Sequence, residues 1–270
     1  MKQCFGLLSV ITLCILFASD SAADDKTKLT GAEIVAKHIA AVGGREAIAR
    51  FKSRVAIGTV KKEDEADANM AIVSEVPNRV SAVYVFKNYN WQLTYDGSKS
   101  IFRPMTSKDA SITESKQREM LATGAMFNSI SLYNLLTSDP AEAKFEAKGS
   151  KKVKGRPAYV VEAKVGKSPS VLLYFDAETF MWVRTDYGRV TFTKMMGTFT
   201  NDVVQHGEDQ TEVDFYFETT DFREVDGVKL PFRFEQVVAS PIIRQKRVGT
   251  ITGTITEYKH NVPIDPKMFQ

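Results

Sequence analysis

The chain has 270 residues, 43% of them hydrophobic and 26% charged, with a net charge of +3, which is an ordinary globular composition. Its lysines and arginines are spread along the sequence, and no element carries the dense basic stripe that a phosphate backbone needs, so nucleic acid is excluded as a partner. The length suits one large mainly-β domain or two small ones, and no Pro/Ser-rich linker divides it.

The first segment reads as an export signal. Met1-Lys2 precedes an apolar run from Cys4 to Ala18, and Ser19-Asp20-Ser21-Ala22-Ala23 supplies small residues at a cleavage site. The apolar run is short for a bilayer span. The expectation is a signal peptide over 1–23, cut near Ala23, with an uncleaved anchor as the alternative, and a single periplasmic domain over 24–270. Both cysteines, Cys4 and Cys14, fall in the signal, so the mature chain relies on packing without disulfides. Leu13 is not the small residue that a lipobox places before its cysteine, which favours a soluble exported protein.

Thr30 with Glu33 three residues later forms a capping box that opens a helix to about Val42, and Gly43-Gly44 ends it. One or two further helical turns follow over 45–51. From Ser53 the hydrophobic period changes to two. Strands are predicted over 54–62, 69–76, 79–87, 91–95 and 100–103, with turns at Pro77-Asn78, 88–90 and 96–98. A long apolar helix is predicted over 113–136, stopped by Ser138-Asp139-Pro140. Met126, Phe127, Ile130, Tyr133 and Leu136 make its apolar surface wider than an ordinary surface stripe, so it must be covered. Strands resume over 144–148, 158–164, 171–175, 181–186, 190–193, 212–219, 222–225, 229–238 and 248–259. A hairpin turn is read at Asp226-Gly227 and an irregular loop over 195–210. This spacing fits a sandwich or barrel and shows no βαβ rhythm.

Chemistry-bearing motifs are sparse. His38, His206 and His260 lack helical metal-pair spacing, and no HExxH, GxSxG or P-loop pattern occurs. His38 and His260 read as surface or capping residues. The one cluster resembling a metal site, His206 with Asp202, Glu208, Asp209 and Glu212, reads as a solvated loop. The expectation is therefore no enzyme, no cofactor and no metal. The basic run Lys148, Lys151, Lys152, Lys154 and Arg156 crosses a hairpin and reads as a charged edge that discourages aggregation.

Several stretches resemble exported outer-membrane lipoprotein-sorting proteins of the LolA/LolB-like family. They are Ile34 to Gly44 (IVAKHIAAVGG) with Lys52-Ser53 and Gly58, Lys154 to Glu162 (KGRPAYVVE), Tyr174 to Thr179 (YFDAET), Asp221 to Pro231 (DFREVDGVKLP) and Asn261 to Asp265 (NVPID). The resemblance covers nearly all of 24–270. It implies an α+β, mainly β fold, a strongly curved antiparallel sheet forming an incomplete, half-open β-barrel with helices covering the open side. It also implies an apolar interior for acyl chains. One departure is Phe180, where the family's hairpin has glycine, and this predicts a longer or differently shaped turn.

An acyl carrier needs apolar area above all, because moving one CH₂ into water costs roughly 0.8 kcal/mol. Candidate ligand-binding residues alternate along the strands: Tyr84 and Phe86, Trp91 and Leu93, Leu173 and Phe175, Phe215 and Phe217, Phe232 and Phe234. They join Met126, Phe127, Ile130, Tyr133 and Leu136 of the predicted lid. Methionines at 105, 120, 126, 181, 195 and 196 suit a pocket for variable chains or fill core gaps. The sequence thus predicts a monomeric carrier or binding protein for a lipid or lipoprotein acyl moiety, working with a membrane-bound donor or acceptor protein. The rivals are a non-transporting sensor or assembly module on the same fold and an enzyme of unknown type.

Overall fold

The computed structural model describes residues 29–62, 67–77, 79–87, 90–96, 100–104, 143–165, 170–193, 204–206, 210–243 and 246–269. The predicted signal over 1–23 and the predicted helix over 113–136 lie outside the described residues.

Two helices come first, α1 (Gly31–Ala41) and α2 (Arg45–Ala49). Thirteen strands follow among the described residues. They are β1 (Ser53–Lys62), β2 (Ala68–Glu75), β3 (Arg79–Val85), β4 (Asn90–Tyr95), β5 (Ser100–Pro104), β6 (Ala143–Val153), β7 (Arg156–Val165) and β8 (Val171–Asp176). Then come β9 (Trp182–Thr193), β10 (Val204–His206), β11 (Gln210–Val225), β12 (Val228–Ala239) and β13 (Arg247–His260), and a 3-10 turn at Pro266–Phe269. All belong to one antiparallel sheet in the order β5-β4-β3-β2-β1-β13-β12-β11-β9-β8-β7-β6, with β10 on β11. The path is open: β5 and β6 stand at its two ends.

Local chemistry explains the frame. Both halves of the capping box form, with the Glu33 amide donating to Thr30 Oγ1 (3.2 Å) and the Thr30 amide donating to Glu33 Oε2 (2.7 Å). The Asp226-Gly227 turn places both residues at positive φ (52° and 82°), the conformation that lets a two-residue hairpin follow the twist of its strands. Lys154-Gly155 repeats that geometry between β6 and β7. Three strands run longer than their alternation suggests. β9 and β11 each join two predicted strands, because Gly188 (φ 69°) and Asp221 (φ 56°) absorb an irregularity without ending the pairing. β6 extends to Val153 through exposed lysines, past a register shift beside Gly149 (φ 92°).

The sheet has unlike faces. One joins α1 and α2 in a single apolar cluster that takes residues from β1, β2, β3, β7, β8, β9, β11, β12 and β13. Ile34 and Ile39 from the first helix, Val42 at its C-cap and Ile48 from the second are buried in it. On the other face, small apolar groups (Val153, Ala158, Val160 and Tyr174; Tyr216, Val237 and Ala239) lie among charged side chains.

Candidate functional site

Nine of the fifteen predicted ligand residues share the helix-facing cluster: Tyr84, Phe86, Leu93, Leu173, Phe175, Phe215, Phe217, Phe232 and Phe234. Leu93 and Phe215 are half-buried and the other seven are buried, with Leu173 and Phe175 fully shielded. The backbone of Trp91 pairs with Tyr84 across β3 and β4. Met126, Phe127, Ile130, Tyr133 and Leu136 lie outside the described residues.

The register shows why these positions converge. Met70 on β2 pairs with Tyr84, and Gly58 on β1 pairs with Met70 and Ile255. On the other flank Gly253 pairs with Phe234, Phe234 with Thr219, and Phe217 with Thr185. Directly opposed residues point to the same side of a sheet, so one continuous face crosses these strands. Its centre is aromatic. Trp182 stacks on Phe217 at 5.9 Å, Phe217 on Phe234 at 5.0 Å, and Tyr187 on Phe215 at 5.3 Å. The Phe234 ring reaches over Gly253, where an added Cβ would overlap its outer edge. Phe232 meets Tyr258 edge-on at 5.2 Å, and the Tyr258 hydroxyl donates to the Pro231 carbonyl at 2.6 Å.

Trp182, Tyr187, Tyr258 and Met70 belong to the face and were not among the predicted residues. On β9 the reason is phase. Phe175 pairs with Trp182 but Tyr174 with Arg184, so Val183 is an extra residue. Phe215 pairs with Gly188 but Tyr216 with Asp186, so Tyr187 is a second. Two bulges reset the alternation twice in one strand, and a period-two reading cannot follow that.

Trp182, Thr185 and Thr219 satisfy one another within this face. Trp182 Nε1 donates to Thr185 Oγ1 at 2.8 Å, and the Thr219 hydroxyl donates to the Trp182 carbonyl. His38 is completely buried, not a surface residue: its ring sits 5.0 Å from Phe175, and Nδ1 lies 2.8 Å from the Phe180 carbonyl. Burial pushes the imidazole pKa down to about 4 against the opposing pull of that carbonyl, so the ring is neutral and Nδ1–H is the donor. Phe180 itself adopts φ 56°, so the turn keeps the left-handed form that its side chain disfavours. Its ring stacks on Tyr159 at 5.6 Å under the Lys37 ammonium, and its amide donates to the Asp176 carbonyl at 2.9 Å. These contacts hold the conformation in place of glycine.

The Asp176 side chain accepts from the Thr179 amide and hydroxyl, both at 2.9 Å, and pairs with Arg156. Burial works to raise its carboxyl, but these bonds together hold it below the ordinary aspartate value. Beside this turn, on the opposite face of the sheet, is a cavity of about 280 Å³ lined by Val153, Ala158, Met181, Val183 and Phe222 and rimmed by Lys154 and Glu218. Its charges belong to a closed network: Glu218 pairs with Lys154 (3.2 Å), Arg184 (3.7 Å) and Arg247 (3.4 Å), and Glu235 pairs with Lys154 and Arg247. Of the basic run, Lys148 is paired with Glu146 and Glu162, and Arg156 with Asp176 and Glu178.

His260 is half-buried as a residue, but its ring is shielded, stacked on Phe51 at 3.8 Å with Nδ1 2.8 Å from Asp226 Oδ2. Burial is the main cause lowering its pKa, with the Asp226 contact opposing it. No group of three or more His, Cys, Asp or Glu poised for a metal exists among the described residues, and no described helix is long and apolar enough to cross a membrane.

No protein-family model matches the sequence, and no curated protein matches it. Solved structures match in fold. A DUF1329 family protein from Desulfovibrio piger superposes with a TM-score of 0.50 at 10% identity, covering 89% of this chain and 95% of that one. An outer membrane lipoprotein-sorting protein domain from Vibrio parahaemolyticus gives 0.49 at 9% identity over 88% and 95% of the two chains. A LolA superfamily protein from Nitrosomonas europaea gives 0.47 at 12% identity over 90% and 98%. Of these, the DUF1329 family protein is the one whose superposition supports a shared fold.

Proposed function

We propose that the protein is an exported carrier or binding protein for a lipid or lipoprotein acyl moiety, and not an enzyme. The observation that carries this reading is the single apolar face shared by nine predicted contact residues and the first helix, with its aromatic row of Trp182, Phe217 and Phe234. An acyl chain asks for such a surface: continuous, apolar, and with the polar groups of Trp182, Thr185 and Thr219 already hydrogen-bonded to one another. The stretches that resemble lipoprotein-sorting proteins, from Ile34–Gly44 to Asn261–Asp265, support the same reading.

In this proposal the sheet curls into a half-open barrel, residues 1–23 are removed on export to the periplasm, and the protein works as a monomer. The segment 113–136 is the lid, its Met126, Phe127, Ile130, Tyr133 and Leu136 lying over the face until acyl chains displace them. A membrane-bound donor or acceptor protein delivers or receives the cargo.

The experiment is extraction of protein purified from its native envelope with organic solvent, followed by mass spectrometry, alongside titration with a fluorescent fatty acid. Stoichiometric lipid and saturable binding are expected. Clean extracts and no saturable binding would turn the reading toward a partner-binding module on the same fold. That alternative draws on the full shielding of Leu173 and Phe175, which a filled core also produces.

A further inference from the structure

We infer that Ser74, Arg54 and His260, a polar row at one end of the helix-facing apolar face, take the carboxyl group of a fatty acid whose chain lies along that face. The inference deepens the acyl-binding reading above and rests on it. The row is contiguous by register: Ser74 on β2 and His260 on β13 each pair with Arg54 on β1. Opposed residues share a side of the sheet, and the next row on that side is Ile72, Ala56 and Tyr258, all in the apolar cluster. Polar side chains thus close one end of three apolar strands.

All three side chains are shielded, with Ser74 at 0%, Arg54 at 1% and the His260 side chain at 4% exposure. Ser74 Oγ and His260 Nε2 have no hydrogen-bond partner among the described residues, which is costly for polar atoms removed from water. His260 Nδ1–H donates to Asp226 Oδ2 at 2.8 Å, and Arg50 donates to the Asp226 main-chain carbonyl at 3.3 Å. Burial lowers the imidazole pKa, with help from Arg54 and against the pull of Asp226, so the ring is neutral and Nε2 is an acceptor. Arg54 Nη2 donates to the Ile48 carbonyl at 3.4 Å, and its guanidinium lies 5.4 Å from the centre of the Phe51 ring. Phe51 also stacks on His260 at 3.8 Å, so one ring covers both.

The two unbonded atoms choose the ligand. Ser74 Oγ–H offers a donor and His260 Nε2 a lone pair, while the guanidinium between them can add a carboxylate to the bond it already makes. Ser74 and His260 stand two strands apart, about 10 Å between backbones, so a head group with two oxygens reaches both better than one with a single oxygen. A carboxylic acid has the right pair. One oxygen accepts from Ser74, the other brings the proton that Nε2 takes, and the carboxylate so formed lies beside Arg54. A fatty acid that is ionised in water takes up that one proton as it binds. A methyl ester of the same chain has no proton to bring, and an alcohol has one oxygen.

The test is displacement of a fluorescent fatty acid from the full chain by dodecanoic acid, its methyl ester and dodecanol, with calorimetry in two buffers of different ionisation heat. The acid is expected to bind at least about tenfold more tightly than the other two and to take up about one proton. Ser74→Ala should weaken the acid about tenfold and leave the ester unchanged. Its melting temperature should be equal or higher, because a buried hydroxyl without a partner has gone. His260→Asn, which keeps a donor for Asp226, should abolish the proton uptake. Equal affinity for acid and ester, an acid preference that survives Ser74→Ala, or proton uptake unchanged in His260→Asn would overturn this inference alone. A surviving preference with a lowered melting temperature would mark the row as the place of a buried water. No saturable binding of any of the three compounds would overturn the inference and the acyl-binding reading together.

Discussion

The two faces of the sheet solve opposite problems with the same strands. Along β11, Phe215 and Phe217 turn toward the helices and stack with Tyr187, Trp182 and Phe234, whereas Tyr216 and Glu218 turn away to meet Arg184 and Arg247. On the first side stability comes from shape and area. On the second it comes from matching charges, with the Arg184 guanidinium lying 3.7 Å from the Tyr216 ring centre and Glu218 held among three cations. A surface without fixed charges can meet apolar guests of many shapes, while an ion-pair network offers such a guest little. The comparison therefore places both the stabilising packing and the capacity for apolar guests on the helix-facing side.

Truncation should show the contrast at its largest. Phe217→Ala removes the ring between Trp182 and Phe234 and should cost about 3–5 kcal/mol in urea unfolding. A loss under about 1 kcal/mol would mean that this face is loosely filled. Acid should give the next largest effect. The folded pKa of His38, about 4, lies below the ordinary 6.5, so the unfolded chain takes up the proton first as pH falls. Its contribution is whole above about pH 6.5, falls away between 6.5 and 4, and amounts to about 3 kcal/mol. His260, lowered as well, acts in the same direction. Urea midpoints across that range in the parent and in His38→Phe check the assignment, and a slope unchanged in the variant would break it.

Overpacking gives a smaller shift. Gly253→Ala forces the Phe234 ring off β13 and should cost about 1–3 kcal/mol, with fatty-acid affinity reduced because the aromatic row is disturbed. On the far face, Glu218→Gln leaves three half-exposed cations with a neutral acceptor and should cost about 1 kcal/mol without changing fatty-acid binding. An effect on binding there would show that the faces are coupled.

Much of this was legible in the residues. Thr30 and Glu33 announce the first helix, Asp226-Gly227 fixes the β11–β12 register, and alternation marks Tyr84, Phe86, Leu173, Phe175, Phe215 and Phe217 as one face. What stayed hidden depends on backbone conformation or tertiary burial. Asp221 and Phe180 take positive φ without being glycine, so neither a continuous β11 nor the shape of the β8–β9 turn is written in composition. The extra residues Val183 and Tyr187 conceal Trp182 behind a broken rhythm. Nothing in the residues beside His38 and His260 tells a buried imidazole from a surface one, and only the packing of Phe175 and Phe51 against them makes them interior.

The pairing of β1 with β13 sets Arg54 against His260 and Lys62 against Ile251, joining the first strand to the last. Every strand from β1 outward to β5 is attached to the rest of the sheet through that one seam. Closing it means bringing together segments about two hundred residues apart, a high-contact-order step that is slow. Assembly therefore waits until residues 247–260 have been made, and a chain still lacking them has two bare strand edges where the seam belongs. A circular permutant that links the end of β13 to the start of β1 would make the same seam a local pairing and should fold faster.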